Sequence, residues 1–368
     1  MKVIFVGGGT MGSVSPLVGV YEGLKEKESQ LEVLWLGTQK GPEKKFLTQY
    51  EIAYKPIIGG KLRQYFSLAN LLTPCFVLLG FIQAIFILRK FKPDVILTAG
   101  SFIAVPVIYA ASFLKIPSFI HQQDLEKGLA NKLMQKQATA ITVSLQESLE
   151  IFSAKKTYWT GNPVRKAVLS GDKQKGLEFF KLDPSIDTIL IFGGGQGAQT
   201  INQMVLETIA DLTKNYQVIH LTGKGKSIKG QFFNYYDRRT RKRIESRYRD
   251  HEFLNEEIFD AYAVAELVVC RAGFSTLTEL SVLAKPALLI PIPGHQAKNA
   301  QYFAKYNAVK ILPQEKLSSE AFLKRIKSLM DNPADREQLS RNISSIMDGQ
   351  ATQKYIDLIY RVLDKNNK

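Results

Sequence analysis

The feature that most constrains this chain is an alternation, along its whole length, of short apolar runs with segments of helical pattern. The runs are rich in β-branched and aromatic residues and are continuously apolar, which is typical of parallel strands covered by helices on both faces. They predict an α/β fold with doubly wound parallel sheets. The predicted strands are Val3–Val6, Glu32–Leu36, Asp94–Thr98, Ser118–His121, Ala140–Ser144, Thr188–Phe192, Gln217–Leu221, Glu266–Cys270, Ala287–Pro291 and Val309–Leu312.

The pattern occurs twice, and each half opens with a strand that runs into a glycine-rich turn, VIFVGGGTMG and LIFGGGQGAQ. Two Rossmann-like domains are therefore predicted to face each other across a cleft, since ligands of such sheets bind beyond the carboxyl ends of the strands. Glycine, asparagine and proline between Thr160 and Asp172 indicate the boundary. We expect an N-terminal domain over residues 1–162, a C-terminal domain over 163–345, and a last helix in 346–368 that packs back on the N-terminal domain.

Composition restricts the environment and the partners. The chain has 368 residues, of which 45% are hydrophobic and 23% charged, as in a soluble globular protein. Its formal net charge of +15 favours anionic partners: phosphates, nucleotides, acidic lipids or nucleic acid. Cys75 and Cys270 lie in apolar runs without metal-ligand spacing, so both are predicted to be buried thiols in a reducing compartment. The first apolar run is too short for a signal peptide, and we expect a cytoplasmic protein.

Both glycine turns are candidate phosphate sites. Gly7–Gly12 and Gly193–Ala198 each follow a predicted strand and precede a helix, whose N–H groups and dipole favour an anion. The spacing differs from that of a dinucleotide loop, and no acidic residue ends the second strand, which argues against a dinucleotide cofactor. A single such loop could equally be a tight turn without a ligand, but two in one chain favour binding.

Two further segments follow predicted strands of the second half. Arg271–Glu279 begins a helix, in which Ser275 and Thr276 can cap the helix or donate to a phosphate. Glu279 can accept from both hydroxyls of a ribose, although taken alone it fits a helix-capping role better. His295–Ala300 presents amides that suit sugar hydroxyls, or forms an ordinary polar loop.

The motifs GGGT, TGNPVR, GGGQGA, RAGFSTLTEL and HQAKNA, in this order, resemble those of the MurG-type transferases. AGSFIAVPVIYAA and IPSFIHQQDLEKGLANKLM extend the resemblance, which covers the chain roughly from Val3 to Ala308. It implies the two-domain GT-B fold, with a UDP donor held mainly by the C-terminal domain and an N-terminal domain that faces the acceptor and the membrane. It also implies inverting transfer of N-acetylglucosamine from its UDP donor to the undecaprenyl-pyrophosphoryl-N-acetylmuramyl-pentapeptide of peptidoglycan synthesis, at the cytoplasmic face of the cell membrane.

The resemblance assigns site residues one by one. Gly195 stands where the family usually has a donor-contacting serine, and Leu254 matches a residue whose backbone holds the uracil. Gln296 matches the glutamine that reads the sugar, and Arg165 matches an arginine near the donor. The loop expected around the diphosphate and ribose consists of Phe274, Ser275, Thr276, Leu277, Thr278 and Glu279, with Glu279 on the ribose. The matching residues of the first glycine loop are Thr10, Met11 and Gly12.

The chain departs from the family pattern in two places. Ser13 replaces a histidine that is a candidate base or acceptor-binding group, and Met11 replaces a glycine, so a catalytic role of Ser13 is open. The usual HEQN reads HQQD here, which puts Asp124 in place of an asparagine near the sugar. Because a carboxylate can accept a proton, Asp124 is a candidate base for the acceptor hydroxyl; alternatively, it only hydrogen-bonds a sugar hydroxyl.

Neither a metal ion nor a cofactor is expected in this reaction. No DxD-type pair follows a predicted strand. The negative charge that develops on the leaving diphosphate can instead be stabilised by the N-terminus of the helix that carries Ser275 and Thr276.

The apolar run Leu68–Leu88 predicts a helix at a membrane surface. Thr73-Pro74 is typical of a helix start, and from Pro74 to Leu88 a helix extends about 22 Å, short of the roughly 30 Å core of a bilayer. Flanking cations fit a helix with one face in the protein and another in lipid; the alternative is a helix buried on all sides. These cations are Lys61, Arg63, Arg89, Lys90 and Lys92.

A second basic stretch, Asp237–Asp250, is either attracted to anionic lipid or a solvated helix face. No motif that reads nucleic acid accompanies it, so no nucleic-acid partner is expected. The expected partners are UDP-N-acetylglucosamine, a polyprenyl-pyrophosphate-linked acceptor and an anionic membrane surface. Three alternatives stay open: a lipid glycosyltransferase with another acceptor such as diacylglycerol, a sugar epimerase of the same fold, and a non-catalytic UDP-sugar-binding protein.

Overall fold

The computed structural model describes residues 1–59, 73–195, 197–347 and 349–366. The chain divides into two compact units, one formed by Met1–Arg165 with Gly349–Lys368 and the other by Lys166–Asp348. Three groups of residues discussed above lie outside the described ranges: the apolar residues that precede Thr73, the cations Lys61 and Arg63, and Gln196 of the second glycine turn.

The first unit contains a seven-stranded parallel sheet with the strand order β3-β2-β1-β4-β5-β6-β7. Its elements before residue 166 are β1 (Lys2–Val6), α1 (Ser15–Lys27), β2 (Glu32–Gly37), α2 (Glu43–Leu47), β3 (Ala53–Pro56), α3 (Thr73–Phe91), β4 (Val95–Thr98), α4 (Ala104–Phe113), β5 (Ser118–Gln122), α5 (Leu129–Met134), β6 (Ala140–Val143) and β7 (Thr157–Trp159).

The second unit contains a six-stranded parallel sheet with the strand order β10-β9-β8-β11-β12-β13. Its elements are α6 (Lys173–Phe179), β8 (Thr188–Phe192), α7 (Gln199–Leu212), β9 (Gln217–Leu221), α8 (Phe232–Tyr235), α9 (Arg238–Arg247), β10 (Tyr248–His251), α10 (Glu257–Val264), β11 (Ala265–Cys270), α11 (Phe274–Val282), β12 (Ala287–Leu289), α12 (His295–Lys305), β13 (Lys310–Ile311), α13 (Ser319–Met330) and α14 (Pro333–Ser344).

The predicted fold class, two Rossmann-like doubly wound sheets, is confirmed. The central strands β1, β4, β5 and β8 are buried along nearly their whole length, because helices cover both faces of each sheet. Every predicted strand is present, with ends shifted by at most two residues. The sequence pattern did not predict β3, β7 and β10, which all lie at sheet edges. Strands there are partly exposed and lack a continuous apolar run.

The last helix, α15 (Ala351–Asn366), belongs to the first unit and packs on α1. Gly23 of α1 makes this contact possible, since a Cβ there would lie 2.5 Å from Cδ1 of Ile356. Tyr355 and Ile359 are fully buried at this contact. The chain therefore returns to the first unit after it has completed the second.

The prediction that both cysteines are buried is right for Cys270 and wrong for Cys75. Cys270 ends the central strand β11, where burial raises the pKa of its thiol. Cys75 lies on α3, of which only one narrow face is buried. This buried face includes Gly80, Ala84 and Leu88. An apolar run therefore does not by itself indicate burial.

Candidate active site

The first glycine loop leaves the carboxyl end of β1 and is bound by side chains from several segments. The indole Nε1 of Trp35 donates to the carbonyl of Gly7 at 2.8 Å, and Oγ of Ser101 donates to the carbonyl of Gly8 at 3.1 Å. Gly9 adopts a φ of +84°, a conformation that favours glycine. The loop is therefore fixed at three consecutive residues.

Glu43, the first residue of α2, is fully buried against this loop. Its carboxylate accepts from the backbone N–H of Thr38 at 2.6 Å, from that of Gly9 at 3.1 Å, and from the hydroxyl of Tyr54 at 3.2 Å. Burial, and after it the charge of Glu43, raises the pKa of Tyr54. Sequence reasoning missed Glu43, because an acidic residue in the first turn of a helix is also the ordinary complement of the helix dipole.

Ser13 lies inside the same loop, in a 3-10 turn formed by Met11–Ser13. Its buried hydroxyl lies 3.4 Å from the carbonyl oxygen of Gly8 and 3.3 Å from that of Thr10, so it donates within the loop. Thr10 and Gly12, by contrast, are exposed. This geometry gives Ser13 a role in the loop's shape; its role in catalysis stays a prediction.

Asp124 follows the carboxyl end of β5 and is half-buried. The neighbouring Gln123 donates from Nε2 to the carbonyl of Gly12 at 2.7 Å, which ties this segment to the first glycine loop. Nε2 of Gln122 donates to the backbone carbonyl of Asp124 at 2.8 Å. The structure thus brings together the two segments that the sequence analysis singled out in the first half.

His121 precedes these residues and links β5 to the GNPVR segment. Its Nε2 lies 2.8 Å from Oδ1 of Asn162, and its Nδ1 lies 2.8 Å from Oγ1 of Thr142. Because an amide oxygen only accepts, Nε2 carries the proton. Burial lowers the pKa of His121 to about 4, so the ring is neutral at physiological pH and acts as a structural link.

Arg165, predicted to lie near the donor, is the last residue of the first unit's main segment. Its guanidinium carbon lies 5.3 Å from the centroid of the Phe46 ring, a cation–π distance. It also acts on Tyr50, whose pKa is raised by burial and then by Glu22, and partly lowered by Arg165. A contact of Arg165 with the donor stays a prediction.

The predicted donor residues of the second unit lie at one edge of its sheet. Gly195 follows β8, Leu254 follows β10, the segment Phe274–Glu279 follows β11, and Gln296 follows β12. Since all strands of this sheet are parallel, their carboxyl ends meet at the same edge. The strand order therefore places these residues, which come from four separate segments of the chain, at the same edge of the sheet.

The second glycine loop is open at its tip. Gly194 has a φ of +92°, and among the described residues, apart from chain neighbours, no heavy atom lies within 4 Å of the position of a Cβ on Gly194 or Gly195. At the base of the loop, a Cβ on Gly197 would lie 2.1 Å from the carbonyl oxygen of Thr222. The backbone at Gly195 is exposed and accessible to a ligand.

Helix α11 has a buried face and a face that is partly exposed at this edge. Phe274, Leu277 and Thr278 are buried, whereas Ser275, Thr276 and Glu279 are half-buried. The N-cap is Gly273, which has no side chain to bind the first N–H groups of the helix. Such N–H groups, together with the helix dipole, favour an anion, and the predicted diphosphate contact at this helix start stays a prediction.

Glu279 is oriented by a neighbouring helix. Its Oε2 accepts from the hydroxyl of Tyr262 of α10 at 3.1 Å. Tyr262 is itself buried and packs edge-on against Phe192 at the end of β8, with ring centroids 6.1 Å apart. The carboxylate is thus held in place rather than directed into bulk solvent.

Gln296 and Leu254 differ in exposure. Gln296 is half-buried in the first turn of α12, and its Oε1 lies 3.5 Å from the backbone N of Ile292, a weak contact. Leu254 is buried, so its backbone rather than its side chain can contact a ligand. The predicted roles, binding of the sugar by Gln296 and of the uracil by the backbone of Leu254, stay predictions.

Two polar residues of the segments predicted to bind the donor, Arg271 and Asn299, are buried and connect the loops of this edge. Arg271 donates from Nη1 to the carbonyl of Ile290 at 2.8 Å, and burial lowers its pKa. Nδ2 of Asn299 lies 3.4 Å from the carbonyl oxygen of Ala272. Arg271 belongs to the motif RAGF and Asn299 to the motif HQAKNA, so the sequence marks both residues. Their hydrogen-bond partners depend on tertiary packing.

The fold has close structural relatives among nucleotide-sugar enzymes. A crystal structure of MurG from Acinetobacter baumannii matches with a TM-score of 0.73 at 24% sequence identity, over 98% of this chain and 99% of that chain. A UDP-GlcNAc 2-epimerase from Neisseria meningitidis, bound to UDP-GlcNAc, matches with a TM-score of 0.68 at 15% identity, over 98% and 100%. At these identities the matches establish the fold, which is that of the GT-B class.

Sequence comparison identifies the family. The glycosyltransferase family 28 N-terminal domain matches residues 3–143, and the family 28 C-terminal domain matches residues 188–354. A relative from Clostridium perfringens (strain SM101 / Type A) is 37% identical over 97% of both chains, and one from Lachnospira eligens is 35% identical over 100% of this chain and 99% of its own. Both are named UDP-N-acetylglucosamine–N-acetylmuramyl-(pentapeptide) pyrophosphoryl-undecaprenol N-acetylglucosamine transferase. This chain therefore belongs to glycosyltransferase family 28.

Proposed function

We propose that this glycosyltransferase moves N-acetylglucosamine from UDP-N-acetylglucosamine to undecaprenyl-pyrophosphoryl-N-acetylmuramyl-pentapeptide. The observation that carries this proposal is the similarity to relatives named for that reaction, which extends over 97% of this chain at 37% identity. Residues 163–345 then bind the donor, and residues 1–162 bind the acceptor and the membrane.

The donor site is the carboxyl edge of the second sheet. The diphosphate is bound by the N-terminus of α11, with Ser275 and Thr276 on the exposed side of its first turn. Glu279, held by Tyr262, accepts from the ribose hydroxyls. Gln296 binds the sugar, and the backbones at Gly195 and Leu254 contact the diphosphate and the uracil. Residues Phe274, Leu277 and Thr278 support this loop from its buried face.

The chemistry is a single displacement at the anomeric carbon. The acceptor hydroxyl oxygen bonds to that carbon, the electrons of the carbon–oxygen bond leave with the UDP, and the hydroxyl proton passes to a base. We assign this base to Asp124, whose segment is bound to the first glycine loop by Gln123. The hydroxyl of Ser13 is less suited to the role, since it donates to loop carbonyls.

The assignment of the base is tested by Asp124→Asn, which keeps the shape of the side chain but not its basicity. We expect kcat to fall by about 100-fold or more, the usual range for a general base, with the KM for the donor nearly unchanged. Turnover of Asp124→Asn equal to that of the parent protein would show that Asp124 only binds a sugar hydroxyl.

A membrane contact on α3 fits a lipid-linked acceptor. Among the described residues, Thr73–Phe91 is long and apolar enough to cross a bilayer by length and composition, and little of it is buried. Leu78 is 59% exposed and Phe86 is 69% exposed on the outer face. Basic Arg89 and Lys90 follow in the last turn. Such a surface binds at the level of the headgroups and outer acyl chains.

The inner face of α3 argues for a peripheral contact rather than a spanning helix. Gln83 donates to the carbonyl of Pro56 at 3.1 Å and accepts from the N–H of Ile58 at 2.9 Å. A Cβ on Gly80 would lie 2.1 Å from the carbonyl oxygen of Ile58. A spanning helix would have to abandon these contacts with the rest of the unit, and we therefore infer a protein attached to the cytoplasmic face of the cell membrane.

The decisive experiment incubates the protein with labelled UDP-N-acetylglucosamine and the muramyl-pentapeptide lipid in detergent. We expect labelled disaccharide lipid and stoichiometric release of UDP, and a large loss of both in Glu279→Gln. Transfer only to another lipid such as diacylglycerol, conversion of the donor to its 2-epimer, or donor binding without UDP release would each replace the proposed reaction with the corresponding alternative.

A further inference from the structure

The second unit carries a strongly basic surface that the transfer reaction leaves unused. Helix α9 has six arginine or lysine residues among its ten, and Ile244 is its one buried residue. Asp237 caps the helix by accepting from the N–H of Thr240 at 3.0 Å, so its charge is engaged at the helix end. The basic residues of α9 are Arg238, Arg239, Arg241, Lys242, Arg243 and Arg247.

Several of these cations converge on one cleft of about 380 Å³. Its walls are Lys214, Arg239, Lys242, Arg243, Ser246 and Arg247. Among the residues that the structure describes, no acidic side chain lines it. Five cations so close together repel one another, and a bound anion relieves this repulsion.

Two of the arginines are held in place by the end of α7. Arg243 donates from Nη2 to the carbonyl of Ala210 at 3.0 Å, and Arg247 donates from Nη1 to the carbonyl of Lys214 at 2.7 Å. The nearby carboxylate of Asp211 is paired with Lys214 at 2.5 Å. Arg243 and Arg247 are therefore fixed at the wall of this shallow, open cleft, and the four cations that α9 contributes to it keep its lining basic.

Arg239 and Lys242, on the outer rim of the cleft, are exposed and form no ion pair with any residue that the structure describes. They contribute nothing evident to the packing of the unit. Their charges are available to an external anion.

The short helix α8, which precedes α9, carries two exposed aromatic rings, one of which contacts an arginine of α9. Phe233 is 74% exposed and Tyr235 is 50% exposed, both on α8. The guanidinium carbon of Arg241 lies 4.2 Å from the centroid of the Phe233 ring. Aromatic rings together with cations are characteristic of surfaces that sit at the headgroup level of a membrane.

We propose that the α9 surface, defined as the cleft residues with Phe233, Tyr235 and Arg241, binds the phosphate groups of an anionic phospholipid bilayer. The headgroup phosphate occupies the cleft, and the ring of Phe233 enters the interfacial region. This inference rests on the proposed function in one respect. The proposed acceptor is attached to a lipid, and the inference adds a second lipid contact, in the second unit, to the enzyme that uses it.

The test compares full-length protein on vesicles of phosphatidylcholine alone and on vesicles that also contain phosphatidylglycerol. The variant R239Q/K242Q removes two exposed charges, and the control K324Q/R325Q removes the same two residue types from the exposed face of α13. At about 1 kcal/mol for each cation, R239Q/K242Q should bind the anionic vesicles about 30-fold more weakly. The control should bind like the parent protein, and salt should weaken the parent's binding.

Three results would overturn the proposal. The first is equal loss in both double variants, which would mean that net charge alone matters. The second is binding of inorganic phosphate that depends on Arg239 and Lys242 while vesicle binding does not. The third is binding to a single-stranded oligonucleotide that depends on Arg239 and Lys242 and is tighter than binding to anionic vesicles. This result would identify the α9 surface as a nucleic-acid surface.

Transfer activity separates this proposal from the proposed function. With the muramyl-pentapeptide lipid dispersed in detergent, R239Q/K242Q should transfer sugar like the parent protein, because no bilayer is present. If the parent itself transfers no sugar, the proposed function fails whatever the vesicles show. If the parent transfers sugar but R239Q/K242Q binds anionic vesicles like the control, the α9 proposal alone fails.

Discussion

The two glycine loops follow the same kind of strand in the same kind of sheet, but their surroundings are opposite. A Cβ on Gly8 would lie 2.3 Å from Oε1 of the buried Glu43. At Gly194 and Gly195, no described residue other than a chain neighbour comes within 4 Å of the corresponding position. Side chains of other segments hold the first loop, whereas the second loop is packed against Thr222 only at its base and is open at its tip. Glycine therefore allows close packing at Gly8 of the first loop and leaves the tip of the second loop open.

This difference bears on function. In the proposed reaction the first loop belongs to the acceptor-binding domain, and its contacts with other segments keep the shape of its surface constant. A loop with an open tip, like the second, lets the backbone come close to a diphosphate, which is the use of glycine in phosphate loops. Substitutions at matched positions of the two loops test this contrast.

The largest effect is expected for Gly8→Ala. The new methyl group must displace the carboxylate of Glu43, which leaves the N–H groups of Thr38 and Gly9 without their acceptor. A buried donor without an acceptor costs about 1–3 kcal/mol, so the first unit should lose about 2–5 kcal/mol of stability. Urea unfolding followed by tryptophan fluorescence measures this loss, since Trp35 and Trp159 both lie in the first unit.

Gly195→Ala is the matched control for this substitution. Its methyl group meets no neighbour, so we expect a change in stability below about 0.5 kcal/mol by far-UV circular dichroism. Equal destabilisation by Gly8→Ala and Gly195→Ala would remove the distinction between a packed and an open loop.

The next effect is expected for Glu43→Gln, which keeps the size of the side chain. The amide oxygen can still accept from one of the two N–H groups, but the amide nitrogen then faces the other. We expect a loss of about 1–3 kcal/mol from the first unit and a higher KM for the acceptor, with the KM for the donor unchanged.

Glu32→Gln serves as the control for Glu43→Gln. It removes the same charge from an exposed pair with Lys2, whose contribution to stability is small. If Glu43→Gln raised the KM for both substrates equally, the carboxylate would support the unit as a whole and not the first loop.

How far the sequence predicted this contrast can be judged from particular residues. Both turns were found, because a buried strand that runs into glycines is a local signal. Glu43 was not found, because its burial depends on Thr38, Gly9 and Tyr54 reaching it in three dimensions. Local pattern thus predicts the turn, and tertiary contacts decide what surrounds it.

The same reasoning holds for the fold and the donor residues. The strand at Thr188–Phe192 was predicted without error, since both of its faces are buried. The strand Tyr248–His251 was missed at the sheet edge, where polar residues are tolerated. Composition and periodicity do not indicate Gln296 and Leu254 as donor-binding residues, and only the resemblance to a family predicted them. The hydrogen bond of Arg271 to the carbonyl of Ile290 became known only from the structure.

A smaller effect is expected for Gly194→Ala. The position is open, as at Gly195, but its φ of +92° is unfavourable for a residue with a side chain. Compared with Gly195→Ala, it should destabilise the second unit by about 1 kcal/mol, measured by thermal unfolding with circular dichroism. Equal stability of the two variants would show that the open loop readjusts its backbone at no cost.

The smallest effect is expected for Gly195→Ser, which restores the serine usual in the family. The side chain has room, so stability should not change, while the new hydroxyl can donate one hydrogen bond to the UDP-sugar. A hydrogen bond of about 0.5–1 kcal/mol lowers the KM for the donor by roughly two- to fivefold, with kcat unchanged if the bond forms equally in ground and transition states. Gly195→Ala provides the comparison, since it adds a methyl group without the hydroxyl. If Gly195→Ser and Gly195→Ala gave the same KM, the tip of the second loop would not contact the donor, and its openness would have to serve another purpose.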